Sequence, residues 1–132
     1  MGKMIFFAIV LIGVFFVALN SSMLADQAGK WVQDNPKDPN APKALYYAAR
    51  WCDLLGDNQT AIVTYMKLYQ LYPEQSELCA AGLYHCAEIQ DETSSAPKLA
   101  NAYLQIIFDQ YSSQADWTAK AKELSDEVNH AH

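Results

Sequence analysis

Met4 to Leu19, MIFFAIVLIGVFFVAL, is a run of sixteen apolar residues with no charge, and it fixes what the first part of this chain is able to be. The polar but uncharged Asn20, Ser21 and Ser22 carry the insertable stretch on toward Leu24. That length is close to the roughly 20 residues a helix needs to cross a bilayer. The competing reading is a secretory signal peptide, because Lys3 supplies a charged n-region and the apolar run is only slightly long for an h-region. Signal peptidase requires small residues at the first and third positions before the cut. The available pairs, Ala18/Asn20, Leu19/Ser21, Asn20/Ser22, Ser22/Leu24 and Met23/Ala25, do not supply them. No Cys follows the run, so lipoprotein processing is not expected either. An uncleaved anchor is therefore expected, in contact with the lipid bilayer through residues 4–24.

Orientation follows from the basic residues. Lys3 and the α-amine precede the helix and Lys30 is the first basic residue after it, so the positive-inside rule predicts a cytoplasmic N-terminus with the remainder outside. In a bacterium this is a single-pass inner-membrane protein with a periplasmic domain. Ser21 to Val32 has no breaker and places Leu24, Ala25, Ala28 and Trp31 at helical spacing, which predicts a stalk continuing from the anchor. Asp34 to Pro42, DNPKDPNAP, holds three prolines and alternating charge, and predicts a short stiff linker.

Beyond the linker there is no strand-like alternation. Asn40 followed by Ala41-Pro42 predicts a capped helix start, and that helix runs through LYYAARWCDLL to Gly56. A second helix is expected from Asp57-Asn58 to Tyr72-Pro73 and a third from about Glu74 to Gln90. Ser94-Ser95-Ala96-Pro97 repeats the cap-then-proline signal and opens a fourth, ending near Tyr111. Ser113 is expected to cap a fifth, running from Gln114 to Val128. Short turns between helices of this length predict antiparallel pairs.

The chain also repeats itself. Thr60 to Gln75 lies over Leu99 to Gln114 at an offset of 39, matching Ala61 with Ala100, Tyr72 with Tyr111 and Gln75 with Gln114. The preceding helices align near an offset of 33, Ala49 over Gly82, with the difference assigned to a longer loop from Gln90 to Ala96. Gly56, Ala61, Tyr65, Leu68 and Pro73 stand in the register of a turn glycine, a small residue, an aromatic, a small or apolar residue and a closing proline. In these positions the chain resembles the tetratricopeptide-repeat family, over about Asn40 to Val128. The second copy keeps Gly82, Ala100 and Leu104 but lacks the turn glycine and the closing proline. The last helix, DWTAKAKELSDEV, resembles the solvating helix that ends such arrays.

Together with the apolar run, the resemblance implies an all-α fold, with an N-terminal transmembrane helix and stalk followed by about two TPR-like helix pairs and a terminal capping helix. The corresponding division is 1–24 anchor or uncleaved signal, 25–40 stalk and linker, and 41–132 repeat domain. In the family the first helix of each pair lines a groove. The matching residues here include Lys43, Tyr46, Arg50 and Asp53, then Leu83 beside Cys79, Cys86 and Ala87, then Lys122 beside Thr118 and Asp126. Such a mixed, partly apolar groove suits a peptide segment or a neighbouring helix. The basic clamp by which some relatives grip a carboxylate tail is not matched.

Chemistry is sparse. A net charge of -6 and a pI near 4.8 argue against nucleic acid, since phosphate binding needs a basic face and eight Lys and one Arg are scattered along the chain. His85 adjoins Cys86, but neighbouring helix residues point about 100° apart, so they do not form a nucleophile and its base. Cys52, Cys79 and Cys86 show no metal-ligand spacing, and Cys79 and Cys86, about 10 Å apart on one helix, are beyond disulfide reach. A bridge from Cys52 to either is left open; buried apolar side chains are the simpler reading. His130 and His132 at the terminus, and carboxylates without a pocket, complete the inventory. No enzyme, cofactor or metal is expected. The expected role is a scaffolding subunit that binds protein partners within a membrane complex, or alternatively a periplasmic chaperone or envelope-assembly factor binding clients transiently.

Overall fold

The computed structural model describes residues 2–19, 21–94 and 96–131, without the side chains of 13–19, 21, 94 and 131. Among the described residues the protein is all helical: α1 Gly2–Leu19, α2 Ser21–Asp34, α3 Ala41–Leu54, α4 Asn58–Leu71, α5 Ser76–Ser94, α6 Pro97–Gln110 and α7 Ala115–Ala131. No helix among them is long and apolar enough to cross a membrane. The readings placed on Asn20, Ser95 and His132 lie outside the described residues. Among the described residues α1 touches α2 and no other element. Its side chains from Met4 to Phe7 and from Ile9 to Ile12 are exposed.

From α2 onward each helix packs on the next, and two alternating series emerge, because α3 also touches α5, α5 touches α7, and α2 touches α4. Burial repeats along both series. In the outer one, Ala25, Ala61 and Ala100 are buried at matching positions, as are Val32, Leu68 and Ile107. In the inner one the sets are Leu45, Leu83 and Ala121, and Ala48, Cys86 and Leu124. Buried residues one and two helical turns apart form the apolar stripe that each helix must cover with its neighbours.

Three expectations change. The segment read as a stalk is packed into the body: Ala25 and Val32 are core residues, and Val32 joins Leu45, Leu68 and Leu83 in one cluster. The supposed linker is a tight turn, with Asn35 N–H donating to Trp31 O and Ala41 N–H to Asp38 O, and Ala41 and Pro42 are buried at the start of α3. Its proline joins the repeat, since Tyr72 Oη donates to Pro36 O at 2.7 Å just as Tyr111 Oη donates to Pro73 O at 2.7 Å. Finally, there is no long loop from Gln90 to Ala96, because α5 continues to Ser94.

The helix ends are set by backbone more than by side-chain caps. Asn40 makes no capping bond; its own N–H donates to Asp38 Oδ1 at 2.8 Å, and Pro42 supplies the fixed φ of the first turn. α6 begins on Pro97 with Ala96 in the cap position, which makes no side-chain capping bond; the side chains of Ser94 and Ser95, where a cap was expected, lie outside the described ones. α3 ends as expected at Gly56, whose φ of 81° only glycine adopts freely. There Gly56 N–H donates to Asp53 O and Asp57 N–H to Cys52 O, the pair of bonds that closes a helix on a left-handed residue.

Candidate interaction face on the inner helices

A polar and aromatic grouping links the inner helices α3, α5 and α7, and Tyr65 of the outer helix α4 reaches into it. On α3, Arg50 Nη1 donates to Asp53 Oδ2 at 2.9 Å, and Tyr65 Oη of α4 reaches the same oxygen at 3.3 Å. On α5, His85 Nδ1 lies 2.9 Å from Glu88 Oε1, while Nε2 lies 3.4 Å from Tyr46 Oη. A neutral imidazole with its proton on Nδ1 satisfies both, donating to Glu88 and accepting from Tyr46. Arg50 Nη1 is also 3.5 Å from Nδ1, but the shorter contact with Asp53 is the one its proton serves.

Aromatic rings fill the spaces between these groups. Tyr65 stacks on His85 at 5.6 Å, Tyr46 meets Tyr47 edge-on at 5.5 Å, and Tyr84 lies 5.6 Å from Trp117 across the α5–α7 boundary. Trp117 in turn carries Lys120 Nζ at 4.5 Å from its ring centre. Burial pushes the Tyr46 phenol up, opposed by nearby Arg50. Burial likewise pushes the Tyr84 phenol up, and the carboxylates of Glu88, Glu127, Glu123 and Glu92 add to it.

The residues expected to line a groove divide accordingly. Tyr46, Arg50 and Asp53 come together on this face. Lys43 is exposed on the first turn of α3. Lys122 lies elsewhere, lining a shallow cleft with Phe108, Ser125 and Asp126 between α6 and α7. Leu83 is a correction: it is 1% exposed, inside the core with Cys79 and Ala87, and cannot line an accessible groove. The cause is register. Burial on the inner helices repeats at 38, as Leu45 and Leu83 show, and not at 33. An error of five residues turns a helix by about 140°. The true counterparts of Tyr46 and Arg50 are Tyr84 and Glu88. With His85 and Trp117 they are the residues missed, and an offset of 38, close to the 39 seen for the outer helices, was the signal that pointed to them.

All three cysteines are buried thiols. Burial pushes the Cys86 thiol far up, and next to it His85 faces Tyr46 and Glu88, so the adjacent pair has neither the thiolate nor the alignment a nucleophile needs. Among the described residues no group of three or more His, Cys, Asp or Glu stands close enough to hold a metal ion. Comparison with protein-family models, with curated proteins and with solved structures returns no match.

Proposed function

We propose that the chain is a non-catalytic interaction subunit, tethered to a membrane through α1, whose inner helices hold a protein partner within a membrane complex. The observation that carries this reading is the surface of α1. Eight large apolar side chains between Met4 and Ile12 are exposed, with none of the described residues covering them. A helix apolar on every side is a poor solute in water and a good one in lipid, whereas a helix meant to lie flat on a bilayer has one polar face. With Lys3 before it, the positive-inside rule orients the N-terminus to the cytoplasm and the body to the extracytoplasmic side, the periplasm in a bacterium. The two helix series and their repeated buried positions support reading the body as a tetratricopeptide-like array, a fold whose open inner face is available for a protein segment.

The test is purification of the full chain from membranes. Alkaline carbonate should leave it in the membrane fraction, and mild detergent should release it together with a partner in fixed ratio. Release by carbonate alone overturns the tether. A detergent-solubilised chain that is monomeric, with weak and varied companions, overturns the subunit role in favour of transient client binding.

A further inference from the structure

We propose that the α5–α7 part of the inner face, built on Tyr84 and Trp117, recognises a lysine- or arginine-bearing segment of the protein partner; this rests on the interaction-subunit reading and names the chemistry of its ligand. Tyr84 and Trp117 are both partly exposed, with rings 5.6 Å apart, and form a two-ring platform across neighbouring helices. A cation already uses it, since Lys120 Nζ sits 4.5 Å over the Trp117 ring. That ring face thus accepts an ammonium group, and a partner's ammonium or guanidinium competes with Lys120 for it.

The charges around the platform select the same kind of ligand. Glu88, Glu92, Glu123 and Glu127 all act on Tyr84 from α5 and α7. Glu92, Glu123 and Glu127 are exposed, and Glu88 is held in place by His85 at 2.9 Å. On the α3 part of the face Arg50 is spent on Asp53, so it does not offset this acidity. An apolar partner would have to desolvate these carboxylates without compensation, and an acidic one would be repelled by them. A segment that alternates basic with apolar residues lays its cations against the carboxylates and the ring faces and its apolar groups over the ring edges.

Binding is read with the full chain in neutral detergent, by anisotropy of three labelled peptides of equal length that alternate Leu with Lys, Gln or Glu. The Lys peptide should bind about tenfold tighter than the Gln peptide, and salt should weaken it. Glu88→Gln with Glu127→Gln should cost about tenfold, whereas Asp26→Asn with Asp34→Asn on α2, the same change of net charge placed elsewhere, should cost nothing. Circular dichroism of each variant shows whether the fold is kept. Equal loss in both double variants would mean bulk attraction to an acidic protein and overturns the inference. Preference for the Gln or Glu peptide, or no binding of any of the three, overturns it as well. Each of those results leaves the interaction-subunit reading standing if a fixed-ratio partner still co-purifies, and that reading fails separately if none does.

Discussion

Gly82 shows how tightly single residues are specified in the body. A Cβ placed there would meet Tyr65 Cδ1 at 3.2 Å, and Tyr65 has little room to retreat, being 1% exposed, stacked on His85 and bonded through its hydroxyl to Asp53. Gly82→Leu should therefore lower stability by about 1 to 3 kcal/mol, because a larger side chain forces Tyr65 off its rotamer or α4 and α5 apart. A chemical-denaturation midpoint unchanged by this substitution would show that the two helices do not approach closely at Gly82. That a small residue is needed here was legible in the sequence, since Gly82 interrupts an otherwise well-formed helix. Its neighbour Leu83 was not placed correctly, because α3 and α5 both carry small buried residues, Ala48, Ala49 and Cys52 on one and Ala80, Ala81, Gly82, Cys86 and Ala87 on the other, and align acceptably in more than one register. Tyr46 was legible as a surface residue but is in fact half-buried and packed against both core clusters. A Tyr46→Ala variant thus tests stability as much as binding.

The helices themselves were mostly readable, and the exceptions are instructive. α3 and α4 end, and α6 begins, within a residue or two of where glycine and proline signals put them, because those residues act through backbone geometry that tertiary contacts seldom override. α2 was legible as a helix but not as a member of the array. Among its described side chains only Ala25 and Val32 are strongly buried, and the prolines after it looked like a spacer. What reveals its role is long-range: Val32 occupies the position that Leu68 and Ile107 hold in α4 and α6, and Pro36 O accepts the Tyr72 hydroxyl. α2 and α4 touch, and the Lys67 side chain reaches Gly29, where a Cβ would lie 3.4 Å from Nζ. Val32→Ala should then cost about 1 to 3 kcal/mol, the value of two buried methyl groups plus the space they leave. A free stalk would give no change in the thermal melt, so an unaltered midpoint would return α2 to that role.

At the scale of the whole molecule the chain divides into a body that satisfies itself and one helix that does not. The body runs from α2 to α7 with continuous packing from each helix to the next, while α1 adds contacts to α2 alone and leaves its apolar side chains outside. An uncharged apolar run stands out in a sequence regardless of tertiary structure, and the sequence reading set it apart as residues 1–24. It misplaced the border, because the helical spacing of Leu24, Ala25 and Ala28 was assigned to the stalk when those residues face α3: Leu24 and Ala28 line a cleft with Ala44, Tyr47, Ala48 and Trp51. The consequence is a measurable independence. A chain beginning at Ser21 keeps every buried contact of the body, so in the same neutral detergent its thermal midpoint should lie within about 2 °C of the full chain's, well under the roughly 4 to 8 °C that a loss of 1 kcal/mol produces in a domain near this size. Solubility should separate the two: without detergent the shorter chain should remain monomeric, whereas the full chain should associate through the exposed surface of α1. Sedimentation of both proteins with and without detergent checks the second statement, and calorimetry checks the first. A large drop in midpoint on removal of α1 would mean that the helix packs on the body, and the division into tether and self-contained array would have to be abandoned.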